Sequence, residues 1–212
     1  DEKNWYAKEG IGHVEYVGNP LAGEIKVETT KQEFCDKHGL DADKPIISLL
    51  AGSRHKEIVR ILPVLLETSN YMSKQNKDLQ FIVAMASNRK MAEFEEAKQQ
   101  IGELPKNLIV VQNETWEALK ASDVAAVTSG TATLETAIIG TPLAIVYKSS
   151  TINYKLLRPL IDVPHFGLIN LIAEERLATE LIQDDFTKET LANELFKLLE
   201  KEENQRFRNR LK

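Results

Sequence analysis

The stretch DVAAVTSGTATLETAIIGTPLAIVYK (Asp123 to Lys148) decides the fold, because it contains a strand pattern, a turn, a helix pattern and a second strand pattern in succession. DVAAV is a continuous apolar run, which is typical of a strand buried on both faces. ATLETAII is compatible with a helix, and PLAIVYK returns to a strand pattern. The stretch therefore predicts a βαβ unit with two parallel strands.

The turn between the first strand and the helix has the composition of an anion-binding turn. The start of a helix presents unpaired backbone N–H groups and the positive end of the helix dipole, and both favour phosphate. Gly130 allows a ligand to approach the backbone closely. The hydroxyls of Ser129, Thr131 and Thr133 are placed to cap the helix or to donate to phosphate oxygens. An ordinary capped turn is the alternative reading of the same residues.

The rest of the chain repeats the alternation of strands and helices. PIISLLA, LQFIVAMA and NLIVVQ are further strand patterns, each followed by an amphipathic or short helical segment. Pro63 predicts that the first of these helices begins near Leu62, after a short lead-in turn. This alternation predicts an α/β fold with a Rossmann-like, doubly wound parallel sheet. Ligands of such sheets bind at the carboxyl ends of the strands, where the turn around Gly52 would join the turn around Gly130.

Composition restricts the classes of function. The chain has 212 residues, 42% hydrophobic and 28% charged, and a formal net charge of −5, which together indicate a globular protein without a nucleic-acid partner. Cys35 is the single cysteine and the four histidines are far apart, so we expect neither a disulfide nor a metal, and no cofactor. The sequence contains no bilayer-spanning run and no secretory signal pattern, so we expect a cytoplasmic location.

The organisation that we expect has three parts. Residues 1–28 would be the tail of a preceding domain and a linker, with HVEYVGNPL as a strand that ends in a turn. Residues 29–200 would form the ligand-binding domain, and residues 201–212 a charged helical tail. The chain starts without Met, which suggests a fragment of a longer protein. TINYKLLRPLI (residues 151–161) is amphipathic and favours a core-facing helix, with contact to a membrane or a partner as the alternative.

Five elements occur in one order along the chain: GNPL, LLAGSRHKEI, VTSGTATLETA, YK and GLINLIAEERLATELIQ. In these elements the sequence resembles the lipid-A-disaccharide synthases, which are glycosyltransferases of the GT-B superfamily. The resemblance covers nearly the whole chain and matches the C-terminal, nucleotide-binding half of those enzymes. It is most specific where GSR-x-x-E and SGTATLE occur together with the correct spacing.

The resemblance implies a reaction for the full-length enzyme. The donor would be a UDP-sugar, UDP-diacylglucosamine, and the acceptor an acylated glucosamine 1-phosphate, joined as the β-1,6 disaccharide of lipid A. The enzyme would lie peripherally on the inner face of the cytoplasmic membrane, and a homodimer is one assembly open to it. The catalytic base would belong to the N-terminal half. We therefore expect this chain alone to bind UDP weakly and to make no disaccharide.

The resemblance and the local sequence together nominate substrate-binding residues. Arg54 would form a fork to the diphosphate or to the uridine end, with Ser53 as a second contact and Glu57 as its anchor. Glu135 lies one helical turn beyond the Gly130 turn, where its carboxylate would accept the ribose hydroxyls. The remaining candidates are Asn170, Glu180 and Gln183, which the resemblance places near the donor sugar, and Lys148, a strand-end lysine near phosphate.

Two other functions fit the same pattern. A UDP-N-acetylglucosamine 2-epimerase has a similar Ser/Gly-rich turn and a Glu on the following helix, but the INLIAEERLATELIQ tract favours the synthase. A nucleotide-sugar binding module that needs a partner chain is the non-enzymatic alternative. A P-loop NTPase is excluded, because no G-x-x-x-x-G-K-[ST] motif occurs.

Overall fold

A six-stranded parallel sheet forms the centre of the computed structural model, which describes residues 2–15, 18, 21–150 and 165–211. The strand order is β3-β2-β1-β4-β5-β6, so the sheet grows outward in both directions from β1. This arrangement confirms the predicted doubly wound α/β fold. The strands are β1 Ile46–Leu50, β2 Gln80–Met85, β3 Leu108–Gln112, β4 Val124–Thr128, β5 Leu143–Tyr147 and β6 Glu180–Ile182.

Helices cover both faces of the sheet, and every residue of β1, β2 and β4 is buried as a result. This burial explains why these strands are continuous apolar runs instead of alternating ones. The helices are α1 Glu2–Lys8, α2 Leu21–Glu24, α3 Lys31–His38, α4 His55–Gln75, α5 Met91–Ile101, α6 Thr115–Ala121, α7 Thr131–Ile139, α8 Leu168–Ala173, α9 Lys188–Leu199 and α10 Lys201–Arg210. Within the described residues, no helix has the length and apolar content needed to cross a bilayer.

Helix α4 corrects the prediction that was based on Pro63. The helix begins at His55, and Pro63 lies inside its 21 residues. Proline has no N–H for the carbonyl of Val59, four residues earlier, but Val59 is on the exposed side of the helix where water can hydrate that carbonyl. Glu57 defines the start, because its carboxylate accepts the backbone N–H of Arg54.

Two further regions differ from the sequence-based expectations. Strand β6 (Glu180–Ile182) was not predicted, although it pairs in parallel with β5 and completes the sheet. Residues 13–15, the described beginning of the predicted HVEYVGNPL strand, belong to no strand, which makes that prediction wrong there. The amphipathic segment at 151–161 lies outside the described residues.

The C-terminal helix α10 is charged, yet it packs on the domain. Phe207 is buried, and the Arg208 guanidinium donates to the carbonyl oxygens of Gly140, at 2.6 Å, and Asp123, at 3.2 Å. The amide of Asn204 also donates to Asp123 O at 3.0 Å. Burial lowers the pKa of Arg208. These contacts join α10 to the loops that precede β4 and β5, at the edge of the sheet opposite the carboxyl ends.

Candidate functional site

A crevice of about 720 Å³ opens at the carboxyl ends of β1 to β4. It lies where the strand order reverses, which is the usual ligand position in doubly wound sheets. Of the residues nominated from sequence, it brings together Ser53, Arg54, Glu57, Ser129, Gly130, Thr131 and Glu135. The two turns that attracted attention in the sequence therefore line one cavity.

In the turn between β1 and α4, backbone N–H groups are hydrogen-bonded to a side chain of the same segment. The nearly buried Glu57 carboxylate accepts the backbone N–H groups of Ser53 and Arg54, at 3.3 and 3.2 Å, and the Arg54 guanidinium at 2.8 Å. This pairing raises the pKa of Arg54. Gly52 has φ +94°, and a Cβ there would lie 2.5 Å from Glu57 Oε2. Glycine is therefore required for the carboxylate to approach the turn.

The turn between β4 and α7 is open by comparison. Gly130 has φ +155°, and among the described residues no atom beyond its own chain neighbours lies within 4 Å of the position where a Cβ would be. Within the described part of the chain, the N–H groups of Thr131 and Ala132 have no acceptor. The Thr133 hydroxyl is buried and donates to Gly130 O at 2.8 Å, so it stabilises the turn from inside. The first turn of α7 thus presents free donors to the crevice.

Glu135 lines the crevice one turn further along α7, where a residue that sequence reasoning missed holds it. The indole Nε1 of Trp116, at the start of α6, donates to Glu135 Oε2 at 2.7 Å. Nineteen positions separate the two residues, and no local pattern connects them. Asn113, Thr115 and Ser87 also line the crevice without having been nominated. Their position after strands β2 and β3 is the signal that would have found them.

Asn170 and Glu180 lie outside the crevice lining and interact with backbone. Glu180 accepts the N–H groups of Phe166 and Gly167, at 3.0 and 2.8 Å, and also the Asn170 amide at 2.9 Å. Asn170 is fully buried and exchanges hydrogen bonds with the backbone of Ala178. The Ser129 hydroxyl donates to Phe166 O at 2.6 Å, so these residues hold the 166–167 backbone beside the open turn.

The other two nominated residues also lie apart from the lining. Gln183 is nearly buried with φ 56°, and its side chain accepts the N–H of Ser149 and donates to the Ser149 carbonyl oxygen. It therefore fastens the loop after β5. The ammonium of Lys148 lies 6.0 Å from the centre of the Phe186 ring. Their contacts with a donor sugar or a phosphate stay predictions.

A third helix start at the same edge is also closed by a carboxylate. Glu93 of α5 accepts the Arg89 guanidinium, at 2.5 Å to the nearer oxygen, and lies 2.6 Å from the His55 ring nitrogen Nδ1. The Arg89 and His55 hydrogen bonds lower the pKa of Glu93 to about 2. The described residues include no group of three or more His, Cys, Asp or Glu side chains that could hold a metal ion.

Comparison with known proteins gives a consistent family. The family model for lipid-A-disaccharide synthetase matches residues 1–212. The lipid-A-disaccharide synthase of Trichlorobacter lovleyi is 36% identical over 212 residues, which are 99% of this chain and 54% of that protein. The synthase of Coxiella burnetii is 35% identical over 198 residues, covering 93% of this chain and 51% of that protein. The chain spans about half the length of these curated relatives.

Solved structures show the same fold at low sequence identity. WaaG, a glycosyltransferase involved in lipopolysaccharide biosynthesis, superposes with a TM-score of 0.63 at 16% identity, over 91% of this chain and 48% of WaaG. The UDP-GlcNAc 2-epimerase of Neisseria meningitidis, bound to UDP-GlcNAc, gives 0.65 at 13% identity, over 100% of this chain and 53% of the epimerase. These likenesses confirm the expected Rossmann-like α/β fold.

Proposed function

The chain belongs to the lipid-A-disaccharide synthetase family, and from this premise we propose that its crevice binds the UDP part of UDP-diacylglucosamine, the donor of a glycosyl transfer. In the whole protein, the sugar would pass to an acylated glucosamine 1-phosphate to form a β-1,6 disaccharide. The relatives carry the name of this activity, and the chain covers about half of their length. The geometry of the crevice supplies the physical argument for donor binding.

The observation that carries the proposal is the open start of α7. A diphosphate placed there would accept the free N–H groups of Thr131 and Ala132 and would lie at the positive end of the helix dipole. Arg54 lines the same crevice with 82% of its side chain exposed, and its guanidinium Nη1 donates to Glu57. A guanidinium in that position complements a second phosphate oxygen. The two turns then provide the positive end of one helix dipole and the exposed N–H donors of a guanidinium that is paired with Glu57.

Glu135 supports the choice of a nucleoside diphosphate over a simple phosphate. Its carboxylate lies one helical turn from the proposed diphosphate position, and Oε1 accepts no hydrogen bond within the described residues. A carboxylate oxygen is a strong acceptor for the ribose hydroxyls. Phosphate at the helix start and ribose at Glu135 place the base toward the ends of β2 and β3, where Ser87 and Asn113 line the crevice.

For catalysis, this chain would supply the leaving-group side of the reaction. The α7 dipole and Arg54 would stabilise the UDP that departs as the glycosidic bond breaks. A general base must also take the proton of the acceptor hydroxyl. We place this base outside the chain, and the described residues that line the crevice include no histidine. The base, in this proposal, comes from the other half of the enzyme.

A peripheral position on the cytoplasmic membrane and a homodimer complete the proposal for the whole protein. The apolar side chains of Leu171 and Ile172 on α8 and Ile138 on the neighbouring α7 are exposed. Such a patch is compatible with contact to lipid or to protein. Sedimentation with anionic vesicles and size-exclusion chromatography with light scattering test these two points separately.

Calorimetric titration of the chain with UDP tests donor binding. We expect UDP to bind more tightly than CDP, and Glu135→Gln to weaken UDP binding by about 1–3 kcal/mol, because an acceptor charge for the ribose hydroxyls is lost. Glu96→Gln is the matched control, since Glu96 is an exposed carboxylate on α5 outside the crevice. Equal UDP affinity in Glu135→Gln and the control would reduce Glu135 to a favourable charge on α7.

Incubation of the chain with donor and acceptor tests whether the general base lies outside this chain. We expect no disaccharide from this chain alone, and turnover by the chain alone would contradict the placement of the base elsewhere. Incubation with UDP-N-acetylglucosamine covers the epimerase alternative, which predicts formation of the 2-epimer. Both assays use the same purified chain as the titration.

A further inference from the structure

We infer that Trp116 is a positioning residue for donor recognition, which acts by holding the Glu135 carboxylate in the orientation that selects ribose. The inference rests on the proposed function, because it assigns the residue that makes the Glu135 site specific for a nucleotide with ribose hydroxyls. Sequence reasoning gave Trp116 no role, and its contact with Glu135 appears only in the fold.

A short hydrogen bond joins the two side chains. Trp116 Nε1 donates to Glu135 Oε2 at 2.7 Å, a short distance that is typical of an N–H bonded to a charged acceptor. Indole nitrogen is a donor only, so it cannot exchange roles when a ligand arrives. The bond therefore fixes one carboxylate oxygen and leaves Oε1 available to the crevice.

The two helices that contain Trp116 and Glu135 lie side by side at the crevice. Trp116 lies in the first turn of α6, after β3, and Glu135 lies in α7, after β4, and both residues line the crevice. Helices α6 and α7 pack against each other, so the indole reaches Glu135 from the side. A free glutamate side chain has several rotamers and would lose their entropy when a ligand binds. The indole bond fixes the side chain before the ligand arrives.

A fixed Glu135 carboxylate makes binding selective for nucleotides with ribose hydroxyls. A carboxylate that is fixed in direction binds a ligand more tightly when the ligand has hydroxyls at the matching place. It binds a ligand more weakly when the carboxylate charge is left unpaired. The pair therefore predicts discrimination between UDP and 2′,3′-dideoxy-UDP, which keeps the base and the diphosphate but has no ribose hydroxyls. The diphosphate contacts at Thr131 and Ala132 are common to both nucleotides and cancel in the affinity ratio.

The test is a cycle of two ligands and four proteins, measured by calorimetry: the unsubstituted chain, Trp116→Phe, Glu135→Gln and Trp5→Phe. Phenylalanine keeps an aromatic wall but removes the N–H donor. We expect Trp116→Phe to weaken UDP binding about tenfold, or about 1.4 kcal/mol, and dideoxy-UDP binding less than about twofold. Glu135→Gln should also reduce the ratio of the UDP affinity to the dideoxy-UDP affinity. Trp5 is the other tryptophan and is 59% exposed, so Trp5→Phe should leave both affinities unchanged.

The other outcomes would overturn either the inference about Trp116 or the proposed donor binding. Equal weakening of both nucleotides in Trp116→Phe would make Trp116 a structural wall and would overturn the inference while donor binding stands. An unchanged UDP affinity in that variant would overturn it in the same way. Absence of UDP binding to the unsubstituted chain would overturn the proposed function, and the inference with it. Thermal unfolding of each variant confirms that the protein is folded at the titration temperature.

Discussion

The turns after β1 and β4 look alike in sequence but differ in how their helix starts are satisfied. Both follow a buried strand, contain a glycine with positive φ and line the same crevice. At α4, the Glu57 carboxylate occupies the backbone N–H groups. At α7, the N–H groups of Thr131 and Ala132 are free within the described residues. The comparison teaches that the same strand–glycine–helix signature makes a self-capped turn or an anion site.

The difference is caused by the third residue of each helix. Glu57 in α4 and Glu93 in α5 each have a carboxylate that reaches back to the helix start, which is the capping-box geometry. The third residue of α7 is Thr133, whose short side chain donates to the Gly130 carbonyl instead. In α4 and α5 the acidic third residue therefore closes the turn, whereas in α7 the turn stays available for a ligand.

The largest expected effect is on the closed turn. Gly52→Ala should lower the free energy of unfolding by about 2–5 kcal/mol, because it combines a strained φ with a collision against Glu57. Gly130→Ala should cost about 1–3 kcal/mol, since strain acts there without a collision. Urea denaturation measures both variants, with Gly12→Ala as a control at ordinary φ. Equal losses for Gly52→Ala and Gly130→Ala would contradict the contrast in packing.

A second prediction removes the closing carboxylate. Glu57→Gln should lower the free energy of unfolding by about 1.5–3 kcal/mol, because two backbone N–H groups and the Arg54 guanidinium lose a charged acceptor. Thr133→Val at the equivalent position of α7 should cost about 1 kcal/mol for one neutral hydrogen bond. If the two variants were equally stable in urea, Glu57 would not be the group that closes the turn.

The smallest effect concerns Glu93 and pH. Hydrogen bonds from Arg89 and His55 hold its folded pKa at about 2, below the ordinary value of 4.5, so the protonated form is disfavoured in the folded state. The resulting stabilisation is complete above about pH 4.5 and is lost as the pH falls toward 2. We expect Glu93→Gln to flatten the acid side of the stability curve between about pH 4.5 and pH 2 in urea titrations. A parallel curve for the variant would show that Arg89 and His55 do not stabilise the charged form.

Five of the six strands and the position of the crevice could be predicted, because buried parallel strands are continuous apolar runs and ligands bind at their carboxyl ends. Strand β6 has three residues and begins with Glu180, so it offers too short and too polar a pattern to detect. The start of α4 was misplaced because Pro63 is tolerated where Val59 is exposed.

The candidate site shows a similar limit. The turns around Gly52 and Gly130 have local signatures, and the structure brings both to the crevice. Asn170 and Glu180 have equally polar side chains, but their hydrogen bonds go to backbone groups and to each other. The contact of Trp116 with Glu135 depends on how α6 packs against α7. Sequence alone gives the type of side chain, while its direction depends on tertiary packing.

The most direct test of the central claim is a UDP titration of Thr131→Pro beside Thr131→Ala. Thr131 is the first residue of α7, a position where proline is tolerated, so Thr131→Pro removes one free N–H while the helix remains. Thr131→Ala removes the hydroxyl alone and isolates the contribution of the N–H. The account predicts that UDP binds about tenfold more weakly to Thr131→Pro than to Thr131→Ala, with equal stability in urea. Equal UDP affinity for the two variants would contradict the assignment of the α7 start as the diphosphate site.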